Sequence, residues 1–346
     1  MATNEEPTIE VKLFVDKDKR KVLFAESDKE FVDVLFSFLA MPLGTIVRLL
    51  GKQSQMGCLD EVYKSAEDSD FFQTQGLQGD ASETAQRCLQ PCRLLKINVD
   101  DTKPRAVYVC KDRSCCAHGD CAFSSFPAAV CRCGKAMQYA GDALEDDDDL
   151  ALTGGAREAG VFVKGLLKFI ITDDLMVAPA STSLMLSLFQ KFGVRDPETI
   201  EETILQLSSE KIISLIKRSL MSKQPLTGLY FDDTITYDDA DLYVLPEQQN
   251  DGDQKLNIAK IKVLQTKNNS LLYVEGDGEF IDLLFGLLSI PLRSIIKAFG
   301  QWPPNGCVDN LWKSIDGSGE GSVRPECHSL LLSQRPHPLA LALLRC

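Results

Sequence analysis

Histidine and tryptophan are scarce in this chain, with three and two among 346 residues. His118, His328 and His337 are scattered, so neither an HExxH helix nor a histidine-rich metal cluster can form locally. Positive charge is short as well: 37 Lys and Arg stand against 50 Asp and Glu, a net charge of −13. That balance opposes phosphate backbones and anionic lipid, so neither nucleic acid nor a membrane surface is expected as a partner. No apolar run approaches the ~18 residues of a membrane span. Met1–Pro7 is acidic and lacks the basic and apolar regions of a secretion signal, which makes a cytoplasmic or nuclear location the expectation. A Gly-rich phosphate loop, a nucleophile elbow and a dinucleotide fingerprint are all missing. An enzyme reading therefore has to rest on an unrecognised thiol or carboxylate site.

What the chain does have is a repeat of its own beginning. Residues 21–66 align without a gap onto 270–315. The matches include Glu26/Glu275, Asp28/Asp277, Glu30/Glu279, Phe31/Phe280, Asp33/Asp282, Pro42/Pro291, Gly57/Gly306, Cys58/Cys307 and Asp60/Asp309. A period this long is a duplicated domain, since solenoid units repeat every ~20–50 residues.

Within the unit, Ile9–Val15 alternates as a strand, Asp16–Arg20 turns, and Val22–Ala25 returns, which predicts a β-hairpin. Ser27 and Glu30 fit a capping box. Phe31, Val34, Leu35, Phe38 and Leu39 then recur at helical spacing, and Pro42 ends that helix. A second helix with Ile46, Val47, Leu49 and Leu50 is expected to stop at Gly51 in a left-handed cap. The later copy repeats the plan over Ile261–Val274, Phe280–Leu288, Pro291 and Gly300, with Gly276 as its N-cap. The matched acids Glu26, Asp28, Glu30 and Asp33 invite a catalytic role. Acids at a helix start more simply cap it and complement its dipole.

Residues 145–149 form an acidic run, read as a solvated linker because it lacks the alternating ligands and Gly of a calcium loop. Beyond it, Phe169–Thr172 and Leu175–Ala178 flank Asp173-Asp174 as a further hairpin. Ser181 precedes an apolar helix ending near Phe192-Gly193. Asp196-Pro197 has N-cap and N1 chemistry, which predicts another helix lined by Ile200, Ile204 and Leu205. Ser208 or Ser209 caps the next, carrying Ile212, Ile213, Leu215, Ile216 and Leu220.

Six of the twelve cysteines fall within 110–133: Cys110, Cys115, Cys116, Cys121, Cys131 and Cys133. Val107–Cys110 reads as a strand entering a knuckle and Cys131–Gly134 as a second knuckle. Four thiolates, Cys110, Cys115, Cys131 and Cys133, would make a closed structural zinc site that stabilises a segment with little core. The spacing departs from the two-residue knuckle of zinc ribbons. Buried reduced thiols are the plain alternative and a redox sensor the third reading.

The order of motifs resembles a known family. Lys12-Leu13, Glu30–Asp33, Pro42–Gly44, Gly57–Asp60, Tyr108–Cys110, Cys131–Gly134 and Ile171–Leu175 are together similar to the plant-expanded family registered as domain of unknown function 674. The resemblance implies a plant protein of duplicated architecture and brings no established activity. Here the pattern fades after Asp316, as a shortened second copy would.

The expected fold class is α+β: duplicated β-hairpin plus helix-pair units with a cysteine-rich insert, the second copy truncated. The expected organisation runs from a first unit with the insert (1–144) through an acidic linker (145–160) to a middle hairpin and helices (161–246). A polar linker (247–256), the partial second copy (257–316) and an unpatterned tail (317–346) follow. A truncated copy exposes an apolar face, which predicts that the 257–316 unit packs on the first copy or pairs between chains. The functional expectation is a non-catalytic interaction or scaffold protein with an unknown protein partner and a structural zinc. The alternative is an enzyme or redox-responsive protein, for which Cys58 and Cys307 are the matched thiol candidates.

Overall fold

The computed structural model of the protein describes residues 7–68, 95–97, 99, 106–109, 123–124, 138–142, 160–232 without 166 and 195, 261–299 without 267 and 269, 306–317 and 322–332. The opening alternation folds into the expected hairpin, β1 (Ile9–Asp16) and β2 (Lys21–Ser27). Asp16 closes its turn by accepting the Lys19 N–H at 2.9 Å.

Helix α1 (Lys29–Ala40) starts one residue later than a Ser27 cap requires. Ser27 is still paired with Phe169 in the sheet, so its backbone belongs to β2 and Asp28 becomes the N-cap. The Ser27 hydroxyl donates to the Asp28 carbonyl, and Glu30 pairs with Lys96 at 2.8 Å, so no capping box forms. Pro42 separates α1 from α2 (Leu43–Leu49) as expected. Gly51 ends α2 at φ +63°, with Gly51 N–H to the Arg48 carbonyl and Lys52 N–H to the Val47 carbonyl, a Schellman closure. Helix α3 (Leu59–Asp68) completes the first unit.

Strands β3 (Ala106–Val109), β4 (Phe123–Ser124) and β5 (Gln138–Asp142) form a small antiparallel sheet centred on β3. Next, β6 (Phe169–Thr172) and β7 (Val177–Pro179) make the middle hairpin, with Leu175 in its turn at φ +61° instead of in a strand. Ser181 caps α4 (Thr182–Lys191) by accepting the Leu184 N–H.

The helix expected after Asp196-Pro197 is a strand. A single 3₁₀ turn (Pro197–Thr199) uses the Asp196 cap, and Ile200–Leu207 then extends as β8. The exposed edge of β1 decides this: β8 pairs with it from Ile9↔Leu207 to Asp16↔Ile200. Tertiary pairing outweighs the local helix-start signal. Ser208 caps α5 (Ser209–Met221), and α6 (Pro225–Phe231) follows. The result is one five-stranded sheet in the order β7-β6-β2-β1-β8.

The second segment repeats the elements of the first: β9 (Ile261–Gln265), β10 (Leu271–Gly276), α7 (Gly278–Gly286), α8 (Leu292–Phe299) and α9 (Asp309–Gly317). Asp277, matching Asp28, is the N-cap and accepts the Phe280 N–H; Gly276 is the last residue of β10. Helix α10 (Pro325–Leu332) follows. The helices of this segment pack on the first copy. Leu43 N–H donates to the Ile290 carbonyl and Leu292 N–H to the Met41 carbonyl, each at 2.9 Å, across the facing Pro42 and Pro291. These residues hold matching places in the repeat, so the contact is reciprocal, as at a two-fold interface between subunits. Likewise α1 meets α9 while α3 meets α7.

The main core lies under the sheet. It joins Val11, Leu13 and Val22 to Phe31, Leu35 and Phe38 of α1, Ile212 and Ile216 of α5, and Ile296 and Leu311 of α8 and α9. A smaller cluster covers the other face, where Phe14, Leu23, Phe24 and Ile170 meet Leu188 of α4. Phe14 and Phe24 stack there at 4.6 Å between centroids.

Candidate functional site

The candidate site is the second hairpin. Its strand β10 reads Leu271-Leu272-Tyr273-Val274, matching Val22-Leu23-Phe24-Ala25 of β2. Both hairpins carry the same irregularity: the ladders pass from Phe14↔Phe24 to Val15↔Val22 and from Leu264↔Tyr273 to Gln265↔Leu271, skipping Leu23 and Leu272. Both place a lysine opposite a glutamate, Lys12↔Glu26 and Lys262↔Glu275, the latter pair 3.0 Å apart.

Their surroundings differ. In the first hairpin, β8 covers one edge, β6 the other, α1 lies under one face and α4 over the opposite one. Val22, Leu23, Phe24 and Ala25 are consequently all fully buried. In the second, Leu271, Leu272 and Tyr273 are 61%, 59% and 50% exposed, and Ile261, Val263, Leu264 and Val274 are exposed too. Among the described residues no strand pairs with either outer edge of β9–β10. Apolar side chains point to both faces, because the strand carries a continuous apolar run instead of an alternation. A lone two-stranded hairpin is marginal in water, and a contiguous exposed apolar patch marks an interaction surface. The expected exposed helix face is thus mainly a hairpin; Ile281, Leu283 and Leu284 of α7 are half-buried. The sequence carried this signal in the unbroken run 271–274, which demands cover on two sides.

The matched carboxylates do structural work. Glu26 sits in β2, not at a helix start. Asp33, on the buried face of α1, accepts the N–H groups of Val161, Phe162 and Val163 at 2.6, 2.8 and 3.1 Å. Three successive amides wrap one carboxylate, a backbone nest. Gly160 makes the wrap possible, since a Cβ there would lie 2.7 Å from Asp33 Oδ2. Burial raises the Asp33 pKa to about 6, against the lowering effect of the three amides. Asp173 is raised to about 6 by the same cause and bonds to Thr227 N–H and hydroxyl at 2.9 and 2.7 Å. The Thr227 oxygen in turn accepts the Val22 N–H at 2.9 Å. Both carboxylates are anchors whose bonds are spent on the fold.

The matched cysteines are placed differently. Cys58 is exposed, whereas Cys307 is buried, and burial together with the nearby Asp174 charge pushes its thiol well above the usual range. A thiol held protonated is a poor nucleophile. Asp60 accepts from Ser54, and Asp309 pairs with Lys313 at 2.7 Å.

The four proposed zinc ligands Cys110, Cys115, Cys131 and Cys133 lie outside the described residues. The strands around them are described: β3 ends at Val109, directly before Cys110, and Val109 pairs with Phe123 of β4 and Gln138 of β5. Among the described residues no group of three or more His, Cys, Asp or Glu is arranged to hold a metal, and no helix is long and apolar enough to cross a membrane.

These elements define an α+β protein with a five-stranded sheet and a second hairpin that, among the described residues, is left uncovered. The chain belongs to the family described as protein of unknown function (DUF674), whose model matches residues 5–334. No curated protein and no solved structure matches it.

Proposed function

We propose that the protein is a non-catalytic interaction or scaffold protein, built from a duplicated hairpin–helix unit. The first copy is sealed by the middle segment, and the 257–316 copy offers its hairpin to a protein partner. The observation that carries this reading is the contrast between buried Val22-Leu23-Phe24 and exposed Leu271-Leu272-Tyr273 at matching positions. The enzyme alternative loses support because Asp33, Asp173 and Cys307 are committed to packing. The test is a photo-crosslinking residue at position 272 in native extract, beside one at Leu186, an isolated exposed apolar residue on α4. A defined polypeptide adduct at 272 and none at 186 supports the reading; equal labelling at both sites refutes it.

The same reading gives the insert a structural zinc held by Cys110, Cys115, Cys131 and Cys133, in the reducing setting of cytoplasm or nucleus. Its support is the β3–β5 ladder: Val109 and Gln138 pair, so the strand leading into Cys110 and the strand following Cys133 run side by side. Zinc should copurify stoichiometrically and be lost from a Cys131→Ser/Cys133→Ser variant. Well-folded, zinc-free protein would discard the site.

A further inference from the structure

The outer edge of β9, unpaired among the described residues, resembles the edge of β1 closely enough to say what fits it. The two ladders equate Lys12, Leu13 and Phe14 with Lys262, Val263 and Leu264. On β1 that edge is filled by β8 in an unbroken antiparallel register. Charge complements the backbone pairing: Lys12 lies 2.5 Å from Glu202, Lys17 lies 3.6 Å from Glu201, and Gln206 donates to Glu10 at 2.7 Å. Directly after β8, α5 turns Ile212, Leu215 and Ile216 into the core beneath the sheet. One segment, an acidic strand followed by an amphipathic helix, thus closes an edge and helps fill a face. On β9, Lys262 stands where Lys12 stands, largely exposed and paired across the hairpin with Glu275. The outer edge of β2, filled by the uncharged strand β6, offers no such pairing.

We propose that the β9 edge is a strand-docking site for a polypeptide of β8–α5 chemistry: an extended segment with an acidic side chain two residues diagonal to the position facing Lys262, as Glu202 is to Lys12, followed by an amphipathic helix. Main-chain bonds along the open edge supply affinity, and the side-chain pattern supplies specificity. This deepens the interaction reading above and rests on it. The occupant is a partner polypeptide, because the chain's own β8 is already engaged on β1.

The test uses the full chain and a fluorescent synthetic peptide of residues 198–221, read by anisotropy. Saturable binding is expected, weakened at least ~10-fold by Lys262→Glu and restored by Glu202→Lys in the peptide, as for a close charge pair across an interface. Lys12→Glu in the chain should leave binding unchanged. Absence of saturation up to roughly 100 µM would overturn the proposal, since weaker association lies beyond a specific interface of this kind. So would binding indifferent to Lys262→Glu, or binding altered by Lys12→Glu, which would mean strand exchange at β1. A dimer in light scattering that dissociates on Val263→Lys would give the edge to a second copy instead. A position-272 adduct without peptide binding would leave the interaction reading standing and remove only this choice of partner.

Discussion

Replacing Asp33 by alanine gives the sharpest test of how the chain is held together. The carboxylate ties α1 to residues 161–163, and that segment carries the C-terminal part as well. Arg324 N–H donates to the Phe162 carbonyl, Lys164 N–H to the Ser322 carbonyl, and Val163 bridges Val323. Asp33→Ala strands the buried Phe162 and Val163 amides and the half-buried Val161 amide, at about 2 kcal/mol for each unsatisfied group. Against this, desolvation of the charge outweighs the amide bonds and raises the pKa from 3.8 to about 6, so the net loss is smaller than that sum. The net expectation is destabilisation by about 3 kcal/mol, read as a lower urea midpoint at pH 7.5. Asp33→Asn keeps one acceptor but turns an NH₂ toward the amides, so it should fall between alanine and the native residue. A carboxylate with a raised folded pKa stabilises most when protonated, so its contribution falls as pH rises through about 6. The native protein should therefore gain stability from Asp33 as pH falls from about 6 toward about 4, and Asp33→Asn should lose that share of the slope. A loss under about 1 kcal/mol in Asp33→Ala, or an unchanged slope in Asp33→Asn, would refute the anchor.

Thiol labelling should separate the matched cysteines: Cys58 alkylates in the native state, while Cys307 and Cys327 react only on unfolding, as peptide mapping would show. Gly57 and Gly306 match in sequence yet should respond differently to alanine. Gly57 sits at φ +62° in open space, so Gly57→Ala should cost about 1 kcal/mol. A Cβ on Gly306 would lie 2.6 Å from the Ser219 carbonyl, so Gly306→Ala should cost about 2 kcal/mol or more. Thr227→Val removes the hydroxyl between Val22 N–H and Asp173 and should cost about 2 kcal/mol in denaturant titration.

Local chemistry made much of the chain legible. The three hairpins, the Pro42 break, the Gly51 closure and the Ser181 and Ser208 caps follow from residues a few positions apart, whose interactions form wherever the segment lies. The β8 segment was misleading because Asp196-Pro197 starts a helix locally, while the eight-residue ladder with β1 is a distant interaction. Asp33 looked like a helix-start acid because its partners are 128 to 130 residues away. The candidate hairpin was visible as a repeat but not as a site.

The sequence alone determined the turns and breaks and the α+β class, because these rest on backbone preferences and short-range periodicity. Only the tertiary structure decided which copy of the hairpin would be buried. Among the described residues, β8 and α4 of the middle segment both lie on the first hairpin. Similar local patterns therefore end in opposite environments, since burial depends on what the rest of the chain brings alongside.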